Sequence, residues 1–268
     1  MTAIAVTIAG SDSGGGAGIQ ADLKTFSALG VYGASVIAAL TAQNTRGVTA
    51  IHDVPADFIT AQIDAVFSDL KVNAVKIGML SQPAAIRAVA DGLQKYDQRN
   101  VVLDPVMVAT SGDKLLAPEA VDVLRKLLIP RAIVITPNLP EAAVLLETAV
   151  AETEAQMQEQ GEKLVALGAK AVLMKGGHGS GAEAVDLLVT ANAVARFSSE
   201  RFATKNTHGT GCTLSSAIAA GLAKGLGLNE AMREAKAYLT AALAAAGGIS
   251  IGQGHGPVHH FHELWRTK

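Results

Sequence analysis

The sequence predicts an α/β domain built on a mostly parallel sheet. Strand-like apolar runs alternate with helical segments along all 268 residues, a pattern typical of parallel sheets covered by helices. Hydrophobic residues make up 49% of the chain and charged residues 17%, which indicates a large buried core rather than disorder. No repeat, low-complexity linker or charge block divides the chain, so we expect one domain over residues 1–268.

The first half of the chain is expected to hold four strands and four helices. Each strand is a short apolar run, and each helix carries an apolar stripe at helical spacing, such as Ile59, Ile63 and Val66. Gly30 is a typical residue to end the first helix. The predicted strands are 3–9, 34–41, 74–80 and 101–103. The predicted helices are 19–29, 56–69, 83–93 and 118–128.

The second half is expected to continue the alternation. Pro140 suits the first turn of a helix that follows a strand, and two neighbouring β-rich runs predict a hairpin at the edge of the sheet. The predicted strands are 132–136, 171–175, 185–189 and 193–197. The predicted helices are one beginning near Pro140, 152–167, one following Gly211, and 229–246.

The run Asn206–Ser216 carries the strongest functional signal. Gly209 and Gly211 precede a helical pattern, and glycine costs about 1 kcal/mol against alanine inside a helix. The first N–H groups of a helix have no internal partner and carry partial positive charge, so a glycine turn there predicts a phosphate site. We expect Cys212, near the helix N-terminus, to have a lowered thiol pKa. The alternative is a glycine-rich loop with a small buried cysteine.

A second glycine loop, Gly10–Gly18, follows the first strand. Gly10 and Gly15 have the spacing of a Walker A loop, but Gly16 and Ala17 stand where Lys and Ser/Thr are needed. The dinucleotide fingerprint also fails, because its third glycine is replaced by Ile19. The loop therefore predicts only a close approach of backbone to a ligand. Asp12 and Asp22 lie near it, and the alternative for Asp22 is a solvent-facing helix position.

Polar or flexible residues at two strand ends are candidates to contact a ligand. Gln43 could read the hydrogen-bonding edge of a heterocycle, although amides are also common turn residues. Met79 could pack on a ligand, although methionine is more often a core filler.

Four further strand-end residues suggest an ionic site. Asp104 at the end of a buried strand needs a cation or donors, so it is either metal-linked or a turn cap. Asn138 and Glu141 could reach a hydrated Mg²⁺, or Glu141 could simply compensate the helix dipole. Lys175, before glycines, is placed to meet a phosphate.

Composition argues against several other classes of protein. The net charge of −2 and 4% aromatic content give no basis for binding nucleic acid or an anionic membrane. No apolar run reaches about 20 residues, and Met1–Val6 resembles a first strand rather than a signal peptide. A single cysteine fits a reducing cytoplasm. His255, His259, His260 and His262 indicate a packed or surface tail rather than a metal cluster.

These motifs together resemble the hydroxymethylpyrimidine/phosphomethylpyrimidine kinases of thiamine biosynthesis, which belong to the ribokinase-like superfamily. The motifs occur in the family's order and span essentially the whole chain. They are Ile8–Asp22, Thr41–Thr45, Lys76–Leu80, Thr136–Glu141, Met174–His178, Asn206–Cys212 and Gly256–His262.

The resemblance implies a three-layer α/β/α fold, ATP and Mg²⁺ as cofactors, and a homodimer. It implies phosphorylation of a pyrimidine alcohol and then of its monophosphate. A cysteine at the position of Cys212 is usual in this branch, whereas many sugar kinases of the superfamily have Asp there.

The resemblance also assigns roles to the candidate residues. Amides of Gly209, Thr210, Gly211 and Cys212 would stabilise the transferred phosphoryl group, and Cys212 would take the hydroxymethyl proton. The remaining roles are an acceptor pocket of Gln43, Met79, Asp22 and Gly10, an ATP site of Lys175, Asn138 and Thr210, and a water-mediated Mg²⁺ site of Asp104 and Glu141.

Three alternatives differ in what they would bind or transform. A pyridoxal-type or dual-specificity kinase would act on a similar flat nitrogen ring that carries a hydroxymethyl group. A nucleotide-sensing protein would bind ATP without releasing ADP. A dinucleotide oxidoreductase is disfavoured by the failed fingerprint.

Overall fold

A nine-stranded sheet forms the centre of the computed structural model, which describes residues 2–108, 115–177 and 183–265. The strands are β1 (Ile4–Gly10), β2 (Tyr32–Asn44), β3 (Gly47–Asp53), β4 (Ala74–Ile77), β5 (Val101–Leu103), β6 (Val134–Ile135), β7 (Ala171–Lys175), β8 (Glu183–Thr190) and β9 (Val194–Glu200).

The order of strands across the sheet is β3-β2-β1-β4-β5-β6-β7-β8-β9. The six strands from β2 to β7 in this order pair in parallel, which confirms the predicted mostly parallel sheet. Antiparallel β3 closes one edge, and the antiparallel pair β8–β9 forms the predicted hairpin at the other.

Eight helices are described, and they cover both faces of the sheet. They are α1 (Gly18–Ala28), α2 (Ala56–Phe67), α3 (Pro83–Lys95), α4 (Pro118–Leu127), α5 (Leu139–Leu146), α6 (Glu154–Ala166), α7 (Thr210–Ala223) and α8 (Leu228–Ala244). The five helices from α2 through α6 pack on one face of the sheet in one apolar core, and α1, α7 and α8 pack on the other face in a second core. The predicted three-layer arrangement is thus confirmed. None of the described helices is long and apolar enough to cross a membrane.

The differences from the predicted elements have clear physical causes. The sequence prediction omits β3, because none of its residues is buried and it therefore carries no buried apolar pattern. Its backbone is held instead by pairing with β2, for example Thr41 opposite Ile51. Residues 78–80 leave the sheet, so β4 is shorter than the predicted strand.

The parallel strands deliver the candidate residues to one edge of the sheet. The carboxyl ends of β1, β4, β5, β6 and β7 lead into Gly10, Met79, Asp104, Asn138 and Lys175, in that order. In open parallel sheets this edge is where ligands bind. The fold therefore brings together residues that are far apart in the sequence.

Candidate active site

A cavity of about 690 Å³ opens at the carboxyl edge of the sheet. It brings together all the residues that the sequence analysis assigned to catalysis or to binding substrate, ATP or Mg²⁺, with the exception of Asp22. The predicted residues that line it are Gly10, Gln43, Met79, Asp104, Asn138, Glu141, Lys175, Gly209, Thr210, Gly211 and Cys212.

The N-terminus of α7 points unpaired amides towards this cavity. Thr210 is the first helical residue and Gly209 is its N-cap. In the described part of the chain, the N–H groups of Gly209, Gly211 and Cys212 donate to no protein acceptor, whereas the N–H of Thr210 lies 3.3 Å from the carbonyl oxygen of Thr207. Three of the four predicted amides are therefore available, and the Thr210 amide is already engaged.

The two glycines of this turn meet different neighbours, and only Gly209 requires glycine. Gly209 has φ of +79°, and a Cβ there would collide with the carbonyl oxygen of Gly16. Gly211 has an ordinary helical backbone, but a Cβ would lie 3.3 Å from Lys175 Nζ and 3.6 Å from Asp104 Oδ2. The turn thus packs against the other glycine loop on one side and against a buried ion pair on the other.

The Cys212 thiol is partly buried beside the cavity. Burial raises its pKa to about 11; Lys76 and the N–H of Gly18 act to lower it, and Asp22 and Asp104 add to the rise. The expected lowering at a helix N-terminus is therefore wrong for the protein without ligands. Desolvation of the thiolate outweighs the favourable end of the helix.

The glycine loop after β1 uses its amides internally. The Asp12 carboxylate accepts hydrogen bonds from the N–H groups of Gly14 (2.8 Å), Gly16 (3.0 Å) and Ala17 (2.8 Å), and lies 2.8 Å from His208 Nε2. Burial alone would raise the Asp12 pKa, but His208 and these amides outweigh it and hold the pKa below its ordinary value. The loop is therefore a rigid wall of the cavity rather than a second anion site.

The expected acceptor side of the cavity is formed by Gln43, Met79 and Gly10. Gln43 Oε1 accepts from Thr41 Oγ1 at 3.2 Å, and its amide nitrogen is 3.4 Å from His208 Nε2. The N–H of Gly10 donates to the carbonyl oxygen of Met79 at 3.2 Å, which fixes the Met79 backbone beside the first glycine loop. Their roles towards a substrate remain predictions.

Asp22 is placed differently from the prediction. It is fully buried, and its carboxylate accepts from Lys76 Nζ at 2.8 and 2.9 Å, from Thr7 Oγ1 at 2.6 Å and from Ser216 Oγ at 2.6 Å. It is not among the described residues that line the cavity. The solvent-facing alternative is therefore wrong, because all of the Asp22 bonds run to buried protein groups. A role of Asp22 in an acceptor pocket stays a prediction.

Asp104 and Lys175 form an ion pair at the cavity wall. Asp104 Oδ1 accepts from Lys175 Nζ at 2.8 Å and from Thr136 Oγ1 at 3.0 Å, and Oδ2 accepts from Ser215 Oγ at 3.3 Å. Burial would raise the Asp104 pKa, but Lys175 and Lys76 hold it below the ordinary value. Both partners are therefore charged, and the ammonium lies where a phosphate entering the cavity could meet it.

Glu141 lies beside this pair and caps α5 together with Asn138. The Glu141 N–H donates to Asn138 Oδ1, and the Asn138 N–H donates to Glu141 Oε2, both at 2.8 Å. Burial raises the Glu141 pKa to about 7; the negative charge of Asp104 adds to this, whereas Lys175 opposes it. Both the dipole-compensating and the ligand-facing interpretations of Glu141 are compatible with this position.

The donor set around Asp104 and Glu141 fits Mg²⁺. Two carboxylates line one cavity and the charge of Asp104 disfavours that of Glu141, so a cation between or near them would relieve a repulsion. Within the described residues no group of three or more His, Cys, Asp and Glu side chains is arranged to hold a metal ion. Mg²⁺ needs only one or two carboxylates when water and phosphate oxygens complete its shell.

Sequence reasoning missed Lys76 and His208 as members of the site. Lys76 lines the cavity although it is the third residue of the buried strand β4. A lone charge in a buried strand is costly without a partner, so it was a usable signal. His208 had no such local signal, because its partner Asp12 is 196 residues away in the sequence.

The C-terminal tail packs against the site. A parallel bridge joins His208 to Pro257, and His260 Nε2 lies 3.0 Å from Thr213 Oγ1. His259 and His260 are buried, which agrees with the packed-tail interpretation. His178, the last residue of one family motif, lies outside the described residues.

Comparisons with known proteins show which family the chain is similar to. The phosphomethylpyrimidine kinase family model matches residues 12–259. A hydroxymethylpyrimidine/phosphomethylpyrimidine kinase of Rhizobium meliloti (strain 1021) is 63% identical, over 99% of this chain and 100% of its own.

Two solved structures share the fold along most of their length. The ADP complex of Bacillus subtilis pyridoxal kinase has a TM-score of 0.91 at 38% identity, and the match covers 99% of this chain and 100% of that one. The phosphomethylpyrimidine kinase of Clostridium difficile 630 has a TM-score of 0.79 at 50% identity, covering 88% and 97%.

Proposed function

Because the chain belongs to the phosphomethylpyrimidine kinase family, we propose that residues 1–268 form one kinase domain of thiamine biosynthesis. Its substrates are 4-amino-5-hydroxymethyl-2-methylpyrimidine and the monophosphate of that alcohol, and ATP donates the phosphoryl group in both steps. The observation that carries this proposal is the turn of unpaired amides at Gly209, Gly211 and Cys212, which shares one cavity with Lys175 and the Cys212 thiol.

Phosphoryl transfer depends mainly on positioning and on stabilising negative charge. The unpaired amides would hydrogen-bond the equatorial oxygens of the transferred group, and Lys175 would leave Asp104 to meet the ATP phosphates. Cys212 in its thiolate form would take the hydroxymethyl proton as the alcohol oxygen bonds to phosphorus. Gln43 would pair with the aminopyrimidine edge and Met79 would pack on the ring.

Asp104 and Glu141 would hold Mg²⁺, mainly through water. When bound, Mg²⁺ would neutralise charge on the ATP phosphates. Asn138 supports this arrangement, because its side chain fixes the first turn of α5 and thereby the position of Glu141.

ADP release tests the proposal directly. Purified protein with ATP and Mg²⁺ should release ADP with the pyrimidine alcohol and again with its monophosphate. Binding of ATP with no ADP release from either acceptor would contradict a kinase and favour a nucleotide-binding protein.

A pyridoxal kinase activity is the second candidate. The observation in its favour is the full-length similarity to the pyridoxal kinase of Bacillus subtilis. The same ADP assay with pyridoxal separates the two: a kcat/KM for pyridoxal at least equal to that for the pyrimidine alcohol would make pyridoxal the main substrate.

We also propose that the protein is a cytoplasmic homodimer. The face of the β2–β3 ribbon that carries Leu40, Ala42 and Ala50 is exposed, and Leu40 itself is 47% exposed. The exposed His52 pairs with Leu40 on this face, so its apolar part is the patch of Leu40, Ala42 and Ala50. An exposed apolar patch favours a protein partner. Light scattering should give a mass twice that of the 27.4 kDa chain, and the Leu40→Asp variant should give the mass of one chain. A monomer without the substitution would contradict the dimer.

A further inference from the structure

We call the turn with the unpaired amides of Gly209, Gly211 and Cys212 the anion turn. A buried ion pair is hydrogen-bonded to α7, the helix that this turn begins. Lys76 and Asp22 are both 0% exposed, and their closest charged atoms are 2.8 Å apart. Thr7 and Ser216 occupy the remaining acceptor positions of Asp22. The Lys76 ammonium donates to both oxygens of this one carboxylate, and Lys76 also lines the cavity. Such a pair is costly to bury, and hydrophobic replacements often stabilise a protein, so stability alone does not explain its presence.

The helices α1 and α7 bring this pair next to Cys212. Gly18, the first residue of α1, lines the cavity together with Cys212, which lies in the first turn of α7. Four residues further along each helix, Ser216 of α7 donates to Asp22 of α1. Residues four apart lie on the same face of a helix, about 5–6 Å from each other. Asp22 and Ser216 therefore meet about one helical turn beyond Gly18 and Cys212, and Lys76 is bound to Asp22 at that point.

The charged groups around Cys212 come from four elements. Lys76 of β4 acts to lower the thiol pKa, whereas Asp22 of α1 and Asp104 after β5 act to raise it. Lys175 of β7 is bound to Asp104, so part of its charge is compensated there. Of the described charged groups, Lys76 is the largest influence that favours the thiolate.

We propose that Lys76 is a positioning residue for the phosphoryl transfer: its ammonium stabilises the thiolate of Cys212, and Asp22 holds that ammonium in place. The inference rests on the proposed function. In the step itself, the substrate O–H bond breaks and the proton moves to the Cys212 sulfur. The alcohol oxygen bonds to the γ-phosphorus, and the bond from that phosphorus to the β-phosphate oxygen breaks, with its electron pair leaving on ADP.

Alkylation of Cys212 tests this without any substrate. Cys212 is the only cysteine of the chain, so the rate of its reaction with iodoacetamide between pH 7 and 10 reports the thiolate fraction. Lys76→Met should slow this reaction about tenfold or more at each pH, which corresponds to a rise of about one pKa unit. The same variant should lower kcat by a similar factor and leave KM for ATP within about twofold.

Thr7→Val is the matched control. It removes one hydrogen bond from Asp22 in the same buried network but leaves both charges, so the alkylation profile should stay within about twofold of the unsubstituted protein. Circular dichroism and urea midpoints show whether each variant is folded. If Lys76→Met does not fold, the double variant Lys76→Met/Asp22→Asn removes both charges together, and it should shift the profile in the same direction by a smaller amount.

The inference would be overturned if Cys212 in a folded Lys76→Met or double variant reacted with iodoacetamide at the same rates as in Thr7→Val. Failure of the proposed function looks different, because the alkylation rates contain no ATP or acceptor. If the protein releases no ADP but Cys212 reacts more slowly with iodoacetamide when Lys76 is replaced, the effect of Lys76 on Cys212 would stand and the kinase assignment would be wrong.

Discussion

At the scale of single residues, the left-handed backbone of Gly209 decides whether the anion turn can form. A side chain there pays about 1–2 kcal/mol for the conformation and also meets the carbonyl oxygen of Gly16. Gly30 offers a matched comparison, because it has φ of +71° but a Cβ added there would meet nothing within 4 Å. The two glycines therefore separate conformational strain from steric displacement of the turn.

We expect Gly30→Ala to lower the free energy of unfolding by about 1–2 kcal/mol and to leave kcat unchanged. Gly209→Ala should cost more stability and should lower kcat by about 10²-fold or more, because the shifted amides no longer meet the phosphoryl group. Urea unfolding and ADP release measure both effects. Equal activity in the two variants would contradict the anion-turn role.

Cys212→Ala tests the base assignment at the same scale. We expect kcat to fall by about 10²- to 10⁴-fold while the Kd for ATP is unchanged, since the thiol would act only on the acceptor proton. Calorimetric ATP titration and single-turnover ADP release check this. Unchanged turnover with intact ATP binding would remove Cys212 from the mechanism.

Single-residue properties were the hardest to predict from the sequence. The sequence places Cys212 at a helix N-terminus, but its thiol pKa depends on burial and on Lys76, Asp22 and Asp104, which come from distant parts of the chain. The burial of Asp22 could not be predicted for the same reason: the helical pattern does not show that Lys76 is its partner. Long-range charge pairs are set by the tertiary fold.

At the scale of elements, two helices begin with the same capping arrangement but differ in their distance from the cavity. Asn138 and Glu141 cap α5 beside the cavity, and Thr153 and Gln156 cap α6 outside its described lining. We expect Asn138→Ala and Thr153→Ala each to lower the free energy of unfolding by about 1 kcal/mol. Only Asn138→Ala should raise KM for ATP, because it releases Glu141.

Urea unfolding and initial rates at varied ATP concentration measure this pair of variants. A rise in KM for ATP in both variants would point to general loosening, and no rise in either would remove Asn138 from the nucleotide site.

Elements were more predictable than single residues, because their signals are local. The amphipathic stripe of α2 and the apolar runs of β1 and β7 each mark an element within a short window. The exposed strand β3 had no such pattern, because only its pairing with β2 holds it in the sheet. The convergence of strand ends on the cavity followed from the parallel topology once the alternation was recognised.

At the scale of the whole molecule, the C-terminal tail is linked through α7 to the turn at Gly209. His260 Nε2 lies 3.0 Å from Thr213 Oγ1, which in turn donates to the carbonyl oxygen of Gly209 at 2.8 Å. Burial lowers the pKa of His260 to about 4, and the positive charge of Lys24 contributes in the same direction. His260 is therefore neutral when folded. Because the Thr213 hydroxyl donates its proton to Gly209, His260 Nε2 is the donor in this contact, and protonation would instead place an uncompensated charge on the buried ring.

Stability should accordingly depend on pH through His260. An unfolded histidine titrates near 6.5, so between about pH 6.5 and 4 the unfolded chain binds the extra proton. The contribution of His260 is fully present above about pH 6.5 and is lost as pH falls towards 4, by about 3 kcal/mol. Urea unfolding from pH 4.5 to 7.5 should show a flatter profile for His260→Asn. The exposed His255→Asn should keep the original slope, and a retained slope in His260→Asn would contradict the assignment.

The central claim is that the amides at the start of α7 bind the phosphoryl group in transit. The most direct measurement is a crystal structure with ADP, Mg²⁺, the pyrimidine alcohol and aluminium fluoride, which mimics that group. We expect fluorine atoms about 2.7–3.1 Å from the nitrogens of Gly209, Gly211 and Cys212, with the alcohol oxygen in line. Aluminium fluoride bound elsewhere, with these amides facing only solvent, would contradict the account.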